Sequence, residues 1–417
     1  QLSDGDESNG EADVVVLLVH EGATTTDIAS ATDDSPFGQI VTGADQNVDA
    51  IISGHTHLAY DHEIPIPGTD RVRPVVSSGQ YGEKYSHMSL SVDPESGELL
   101  SISAEVLPLA GAFAPDPEVA QIVANAVAVA KQLGAVKVGE ITADFNRAKQ
   151  TAAGSENRGG ESTLGNFVAD VQLAATQDAG AQIALMNPGG LRADLKFTGT
   201  GATDPDGNLT FAEAAAVQPF ANTLVTLDLT GAQLKQVLEE QWQPAGASRP
   251  FLKLGVSSGF EYTYDPAGAA GDRVDAVYLD GEPIDPAGTY TVTVNSFLAA
   301  GGDNFLTLAA GTNRADSGKV DLQSMVDYFE ANPTASPDYA QRAVGVTLSA
   351  PDADGYSSGD AVTVGLSSLL FSNGEPNAGT AVVSAGDTVL GEAVIDPAIV
   401  DTTDEVGRAS VPITIPE

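Results

Sequence analysis

A chain of 417 residues with 18 Lys and Arg against 58 Asp and Glu carries a formal charge of −40, which argues against nucleic acid and anionic membrane surfaces as partners. The complete lack of cysteine removes disulfides, thiolate metal ligands and cysteine nucleophiles together. With 42% hydrophobic residues and no apolar run of membrane-spanning length, the sequence predicts two or three globular domains. An acidic, lysine-poor composition rich in Ala, Gly, Thr and Asp suits a secreted or cell-surface bacterial protein.

The polar opening has no initiator Met and leads into "DVVVLLVH", a continuous apolar run of buried-strand type that is expected to have a partner on each side. On that ground the chain is expected to be a piece of something larger. Short β runs follow: "VDAIIS", "RPVVSSG", "HMSLSVD" and "LLSISAEVLPL". Residues 116–134 place apolar residues at helical spacing and end at Gly134, read as a C-cap, so this segment is expected to be a linking helix. Residues 135–338 alternate helical segments ("ESTLGNFVADVQLAATQ", "GAQLKQVLEEQW") with strands ("AQIALMN", "LVTLDL", "GFEYTYD", "VDAVYLD", "TYTVTV"), a mixed α/β texture. Over 339–417 the pattern changes to short strands and turn signals such as "NGEPNAG", which predicts a small all-β, Ig-like sandwich. Its strand-like ending "ITIPE" is expected to be a cut end too.

Three of the five histidines stand in "IISGHTHLAYDH". "VVVLLVHEG" ends a strand at His20, and "VDAIISGHTH" ends another at His55 and His57. If the strands are neighbours, the three imidazoles converge at one sheet edge, where rigid strand ends can present metal ligands. Imidazole suits Zn, Mn, Fe and Ni. In an extended segment His55 and His57 would point to the same side, so two adjacent metals could each take one. His62, in "DHEIP", reads as a loop residue, and His87 as a surface residue of an alternating strand.

Elsewhere, Arg158 in "NRGGESTLGN" and Arg192 in "NPGGLR" stand beside Gly-rich turns in a chain with few cations, and guanidinium groups recognise phosphate and stacked rings. "PFAN" and "FLAAGGDNF" add Phe220 and Phe297, a pair suited to stacking on a base. "DPDGNL" at 204–209 and "DADGYSSGD" at 352–360 cluster oxygens, but neither completes a twelve-residue calcium loop ending in Glu, and both read as tight turns.

Taken in order, "LLVHEG", "ISGHTH", "NPGGLR", "PFANTLV" and "FLAAGGDNF" resemble the bacterial 5′-nucleotidase family of secreted calcineurin-like metallophosphatases, over residues 13 to about 335. The resemblance implies an α/β and α+β multidomain protein. Residues 1–115 would be the C-terminal part of a metallophosphatase β-sandwich with flanking helices, 116–134 the linking helix, and 135–338 the substrate-binding domain. It implies two divalent metal ions, Zn, Mn or similar, with His20 and His55 as ligands of one and His57 of the other. It implies substrate contacts from Arg158, Asn187 and Arg192, base stacking by Phe220 and Phe297, base contacts near Asn222 and Gly259, and ribose binding by Asp303.

The family's Asp-x-His pair, bridging aspartate and Asn-His-Glu motif, which holds its catalytic histidine, have no counterpart before His20. The two-metal site is therefore expected to be incomplete here, unless a second chain carries the missing half. The activity implied for the intact protein is hydrolysis of nucleoside 5′-phosphates by metal-activated water. UDP-sugar hydrolysis, 2′,3′-cyclic-nucleotide phosphodiester cleavage, and an inactive nucleoside-binding or cell-surface role stay open.

Overall fold

The computed structural model describes residues 10, 12–150, 154–201, 204–349, 355–400 and 402–416. The chain divides into two compact units, residues 1–124 with 244–248, and residues 125–243 with 249–417.

In the first unit, strands Val16–Leu18, Ala50–Ile52 and Val72–Ser78 run parallel in that spatial order, and Ala59–Pro65 closes the sheet antiparallel to the last. Ile51, Val75, Phe37, Val41, Tyr60 and Ile64 form its core. Helix Pro36–Gly43 starts at Ser35, whose hydroxyl accepts from the Gly38 amide. Arg73 is buried and donates to the carbonyls of Val41, in the last turn of that helix, and of Asp45 and Val48 in the loop that follows it. A second layer is the hairpin Lys84–Val92 with Leu99–Pro108.

Two sequence readings change here. Val16–Leu18 is an edge strand paired only with Ala50–Ile52 among the described residues, and Leu18 is 76% exposed. An unbroken apolar run cannot by itself distinguish a central strand from an edge. His62 is not in a loop. It sits in strand Ala59–Pro65, half-buried and stacked on Tyr60 at 5.1 Å, and burial lowers its pKa. His87 is exposed in strand Lys84–Val92.

The helix Pro117–Gly134 is capped by the Asp116 carboxylate, which accepts from the Glu118 and Val119 amides. Gly134 is not its C-cap. It lies within the last turn, where a Cβ would come to 3.0 Å from that of Ala212, so its small size serves packing rather than a left-handed turn.

The second unit is built on a five-stranded mixed sheet in the order Gly255–Val256, Ile183–Met186, Thr289–Asn295, Thr223–Thr230, Thr312–Val320. One apolar cluster includes Leu185, Leu227, Val292 and Phe260. The other includes Phe145 and Met186 with Leu164 and Phe167 of helix Thr163–Thr176 and Met325 and Phe329 of helix Asp321–Ala331.

A second sheet, of six strands, crosses the boundary expected near residue 339. Its order is Glu282–Pro283, Val274–Leu279, Phe260–Tyr264, Ala343–Leu348, Ala361–Ser367, Ala409–Thr414. Tyr262 pairs in parallel register with Ala343, and Tyr264 with Gly345. The C-terminal strands therefore continue the sheet of the preceding α/β region instead of forming a self-contained Ig-like sandwich. Among the described C-terminal strands, hairpin Thr380–Ala385 with Thr388–Val394 stands outside that sheet, and it helps to close a small core around Val364, Ala381, Ala409 and Val411. Of the two candidate calcium turns, residues 352–354 lie outside the described residues. In the other, the Asp204 carboxylate accepts from the Asn208 side chain and from Thr200, as a turn carboxylate does.

Candidate functional site

Each unit holds a set of the singled-out residues, and each set stands by itself. In the first unit, Gly22 and Gly54 let the turns after the two apolar strands approach. A Cβ on Gly22 would fall 2.3 Å from the Gly54 carbonyl oxygen. This contact brings the His20 and His55 rings together edge to face, with centroids 5.1 Å apart. His57 goes elsewhere, to 6.1 Å from the Tyr81 ring. The reason is conformational: "GHTH" is not extended, and His55 and His57 both take left-handed backbone, with φ of 65° and 61°. Among the described residues no group of three or more His, Asp or Glu side chains is placed to hold a metal ion. Two imidazoles do not by themselves fit a pair of divalent ions, which take three or four protein ligands each and need carboxylates to balance their charge.

In the second unit a cavity of about 300 Å³ is lined by Arg158, Asn187, Gly189, Gly190, Phe220, Asn222, Asn295, Phe297 and Asp303. Six of the eight substrate residues suggested by the sequence thus meet in one place. Phe220 and Phe297 are 54% and 46% exposed, unusual for large aromatics unless their faces serve binding. Arg192, a seventh, lies just behind, with its guanidinium 5.7 Å from the centre of the Phe220 ring. Gly259, the eighth, does not line the cavity. It sits at a turn with φ +84, against Asp280, where its role is conformational.

The local sequence explains the geometry. In "FLAAGGDNF", Gly301 has φ +87, and a Cβ on Gly302 would fall within 2.4 Å of the Phe297 ring. Both glycines are needed for that ring to lie where it does. Asp303 follows in left-handed backbone at φ 55°, held by two hydrogen bonds of its own and a third at its neighbour Asn304. Its carboxylate accepts from Asn187 Nδ2 at 2.8 Å, its carbonyl accepts from Gln243 Nε2, and Gln243 Oε1 accepts from Asn304. In "NPGGLR", a Cβ on Gly189 would crowd Arg158 at 3.1 Å and Asp303 at 3.4 Å, so the glycine keeps the space between a cation and a carboxylate open.

Asn295 was not singled out by the sequence. It caps helix Ser296–Ala299, which carries Phe297, and its Nδ2 donates to Asn187 Oδ1. The available signal was an Asn directly before a short apolar run. The Asn222 amide is largely engaged, donating to Asp321 and accepting from Ser296. Arg249 was also passed over. It is close enough to feel Glu156 and Asp303 as attraction, and its pKa is lowered first by desolvation and then by repulsion from Arg158.

The arrangement offers two aromatic faces, a carboxylate fixed for paired hydroxyl donors, and guanidinium groups for an anion. Residues 134–310 match the family model described as "5'-nucleotidase, C-terminal domain". The chain is 30% identical over 298 residues to the trifunctional nucleotide phosphoesterase protein YfkN of Bacillus subtilis, covering 68% of this chain and 19% of that protein. It is 26% identical over 319 residues to endonuclease YhcR of the same organism, covering 76% and 23%. The chain thus spans about a fifth of the length of these two relatives. Among solved structures, a putative 5'-nucleotidase from Staphylococcus aureus is similar at a TM-score of 0.55 and 20% identity, over 80% of this chain and 66% of that one, a likeness of fold.

Proposed function

We propose that this chain, whose residues 134–310 form a 5'-nucleotidase C-terminal domain, grips the nucleoside end of a nucleotide for hydrolysis of its phosphate ester by the protein to which it belongs. The observation that carries this reading is the single cavity that collects Phe220, Phe297, Asp303 and Arg158. The base lies between the two phenylalanines. The Asp303 carboxylate accepts hydrogen bonds from the ribose hydroxyls, and Arg158, with Arg192 nearby, faces the phosphate. The family's chemistry draws on divalent metals. His20 and His55 would be this chain's contribution to such a centre, and further donors are required for it. No described helix is long and apolar enough to cross a membrane, and the acidic composition supports a secreted or surface setting.

Calorimetry with adenosine tests the reading without metal. Wild type is expected to bind. Phe220→Ala and Phe297→Ala are each expected to weaken binding by about one to two orders of magnitude, the value of one stacked base face. Unchanged binding in both variants, or no heat from wild type, would remove the nucleoside reading.

A second expectation concerns the reaction. Purified alone, the chain is expected to release little phosphate from AMP when Zn or Mn is added, because its described residues gather only two imidazoles at the sheet edge. Metal-dependent phosphate release by the single chain would contradict that.

A further inference from the structure

The loop that carries Arg158 is held by residues that follow it by nearly 250 positions. Asn157 Nδ2 donates to the Thr403 carbonyl at 3.0 Å, and Asn157 Oδ1 accepts from the Gly159 amide at 2.8 Å. The Thr402 carbonyl packs on Gly159 so closely that a Cβ there would fall 2.4 Å from its oxygen. The Glu161 amide donates to Asp404 Oδ1 at 2.7 Å. The Arg158 carbonyl accepts from the Lys253 amide, and the Lys253 ammonium pairs with Asp404 Oδ2 at 2.5 Å. Ser368 Oγ donates to the same carboxylate oxygen. Asn157, Glu161, Lys253 and Asp404 are each no more than 3% exposed.

The segment before the loop is gripped from the same C-terminal region. Ser372 Oγ accepts from the Lys149 amide, and Asn373 Nδ2 donates to the Arg147 carbonyl. The Lys149 backbone in turn forms an antiparallel β-bridge with Glu156, whose carboxylate pairs with Arg158 Nε at 3.3 Å. Arg158 therefore reaches the cavity from a loop whose two flanks and own carbonyl are all fixed, directly or through Lys253, by residues 368–404.

We propose that the C-terminal β layer is a working part of the nucleotide site, with Asp404 the positioning residue for Arg158. The inference rests on the nucleotide reading of the cavity. Asp404 touches no substrate. It sets the loop backbone so that the guanidinium meets the phosphate without first having to be ordered. Stacking on Phe220 and Phe297 and the Asp303 contact do not pass through this loop, so the nucleoside half of the site is independent of it.

Calorimetry of AMP against adenosine on the full chain tests this, with Asn157→Ala and Asp404→Asn beside wild type and fluorescence confirming the fold. Wild type is expected to prefer AMP. Both variants are expected to keep adenosine binding and to lose about tenfold of the AMP preference, the worth of one charge-assisted hydrogen bond. Arg158→Ala is expected to show the same loss, and adding Asn157→Ala to it should cost nothing more. A wild type that binds neither ligand overturns the nucleoside reading itself. Adenosine binding with no AMP preference in wild type, or with the preference intact in Asn157→Ala and Asp404→Asn, overturns the positioning proposal alone. Equal loss for both ligands also overturns it, since that marks a merely structural role. If Asp404→Asn does not fold, Asn157→Ala decides, because it leaves the Lys253–Asp404 pair intact.

Discussion

Lys253→Met is expected to destabilise the second unit by about 3–5 kcal/mol, the cost of removing one partner from a buried ion pair. The Lys253 ammonium is held well above its ordinary pKa. Burial, the largest single effect, opposes the charge, but Asp404, Tyr262, Tyr264 and Glu161 together outweigh it, the two tyrosine rings lying within 4.9 and 5.0 Å. Without it, two nearly inaccessible carboxylates, Glu161 and Asp404, face each other with hydrogen-bond donors but no cation between them. The chain's single tryptophan, Trp242, packs against Phe251 and Tyr264 in this unit, so its fluorescence reports on this unit. The check is the urea midpoint at unchanged slope. A shift worth under about 1 kcal/mol would mean the pair is hydrated or dispensable. The double variant Lys253→Met, Asp404→Asn is expected to recover part of the loss, because the new amide still accepts from the Glu161 N–H and Glu161 no longer faces a second buried carboxylate.

The second large effect is in pH. Burial pushes the Glu161 carboxyl from its ordinary 4.5 up to about 7, with Lys253 pulling down and Asp404 pushing up. The folded state therefore binds this proton more tightly than the unfolded chain does. The stability it contributes is complete below about pH 4.5 and is lost as pH rises through about 7, amounting to about 3 kcal/mol. Urea midpoints between pH 5 and 8 are expected to fall with rising pH, and Glu161→Gln is expected to flatten that fall. His62 works in the opposite sense, since burial lowers its pKa and favours the folded state as pH rises. Comparing the variant with wild type at each pH isolates the glutamate. Parallel profiles for the two would show that Glu161 is ionised throughout, held so by Asn166, Lys253 and the Arg342 amide.

The nucleoside cavity was legible in the sequence because its residues belong to local motifs. A phenylalanine before a glycine pair, or an arginine after Pro-Gly-Gly, is a chemical peculiarity visible within six residues. What supports those residues was not legible. Nothing near Asp404 marks it as the partner of Lys253, and nothing in "GFEYTYD" says that its outer edge is taken by Ala343–Leu348. Long-range pairing leaves no periodic trace, so a change of texture near residue 339 read as a domain boundary. The GHTH stretch failed for a local reason. Extended geometry was assumed after an apolar strand, whereas His55 and His57 take left-handed conformations that residue type alone does not announce.

The six-stranded sheet also constrains the order in which the protein is made. Phe260–Tyr264 emerges from the ribosome about 80 residues ahead of the strand that covers its edge, and at 5–20 residues per second that is a delay of roughly 4–16 s. Through that interval the strand bearing Phe260, Tyr262 and Tyr264 can pair with Val274–Leu279 on one side, but its other edge stays open, a template for wrong pairing with another chain. Asn157 and Thr403, 246 positions apart, can meet only once the 246 residues after Asn157 have been synthesised. The second unit is therefore a late, high-contact-order folder, and its yield should depend on how well the waiting edge is shielded from neighbouring chains.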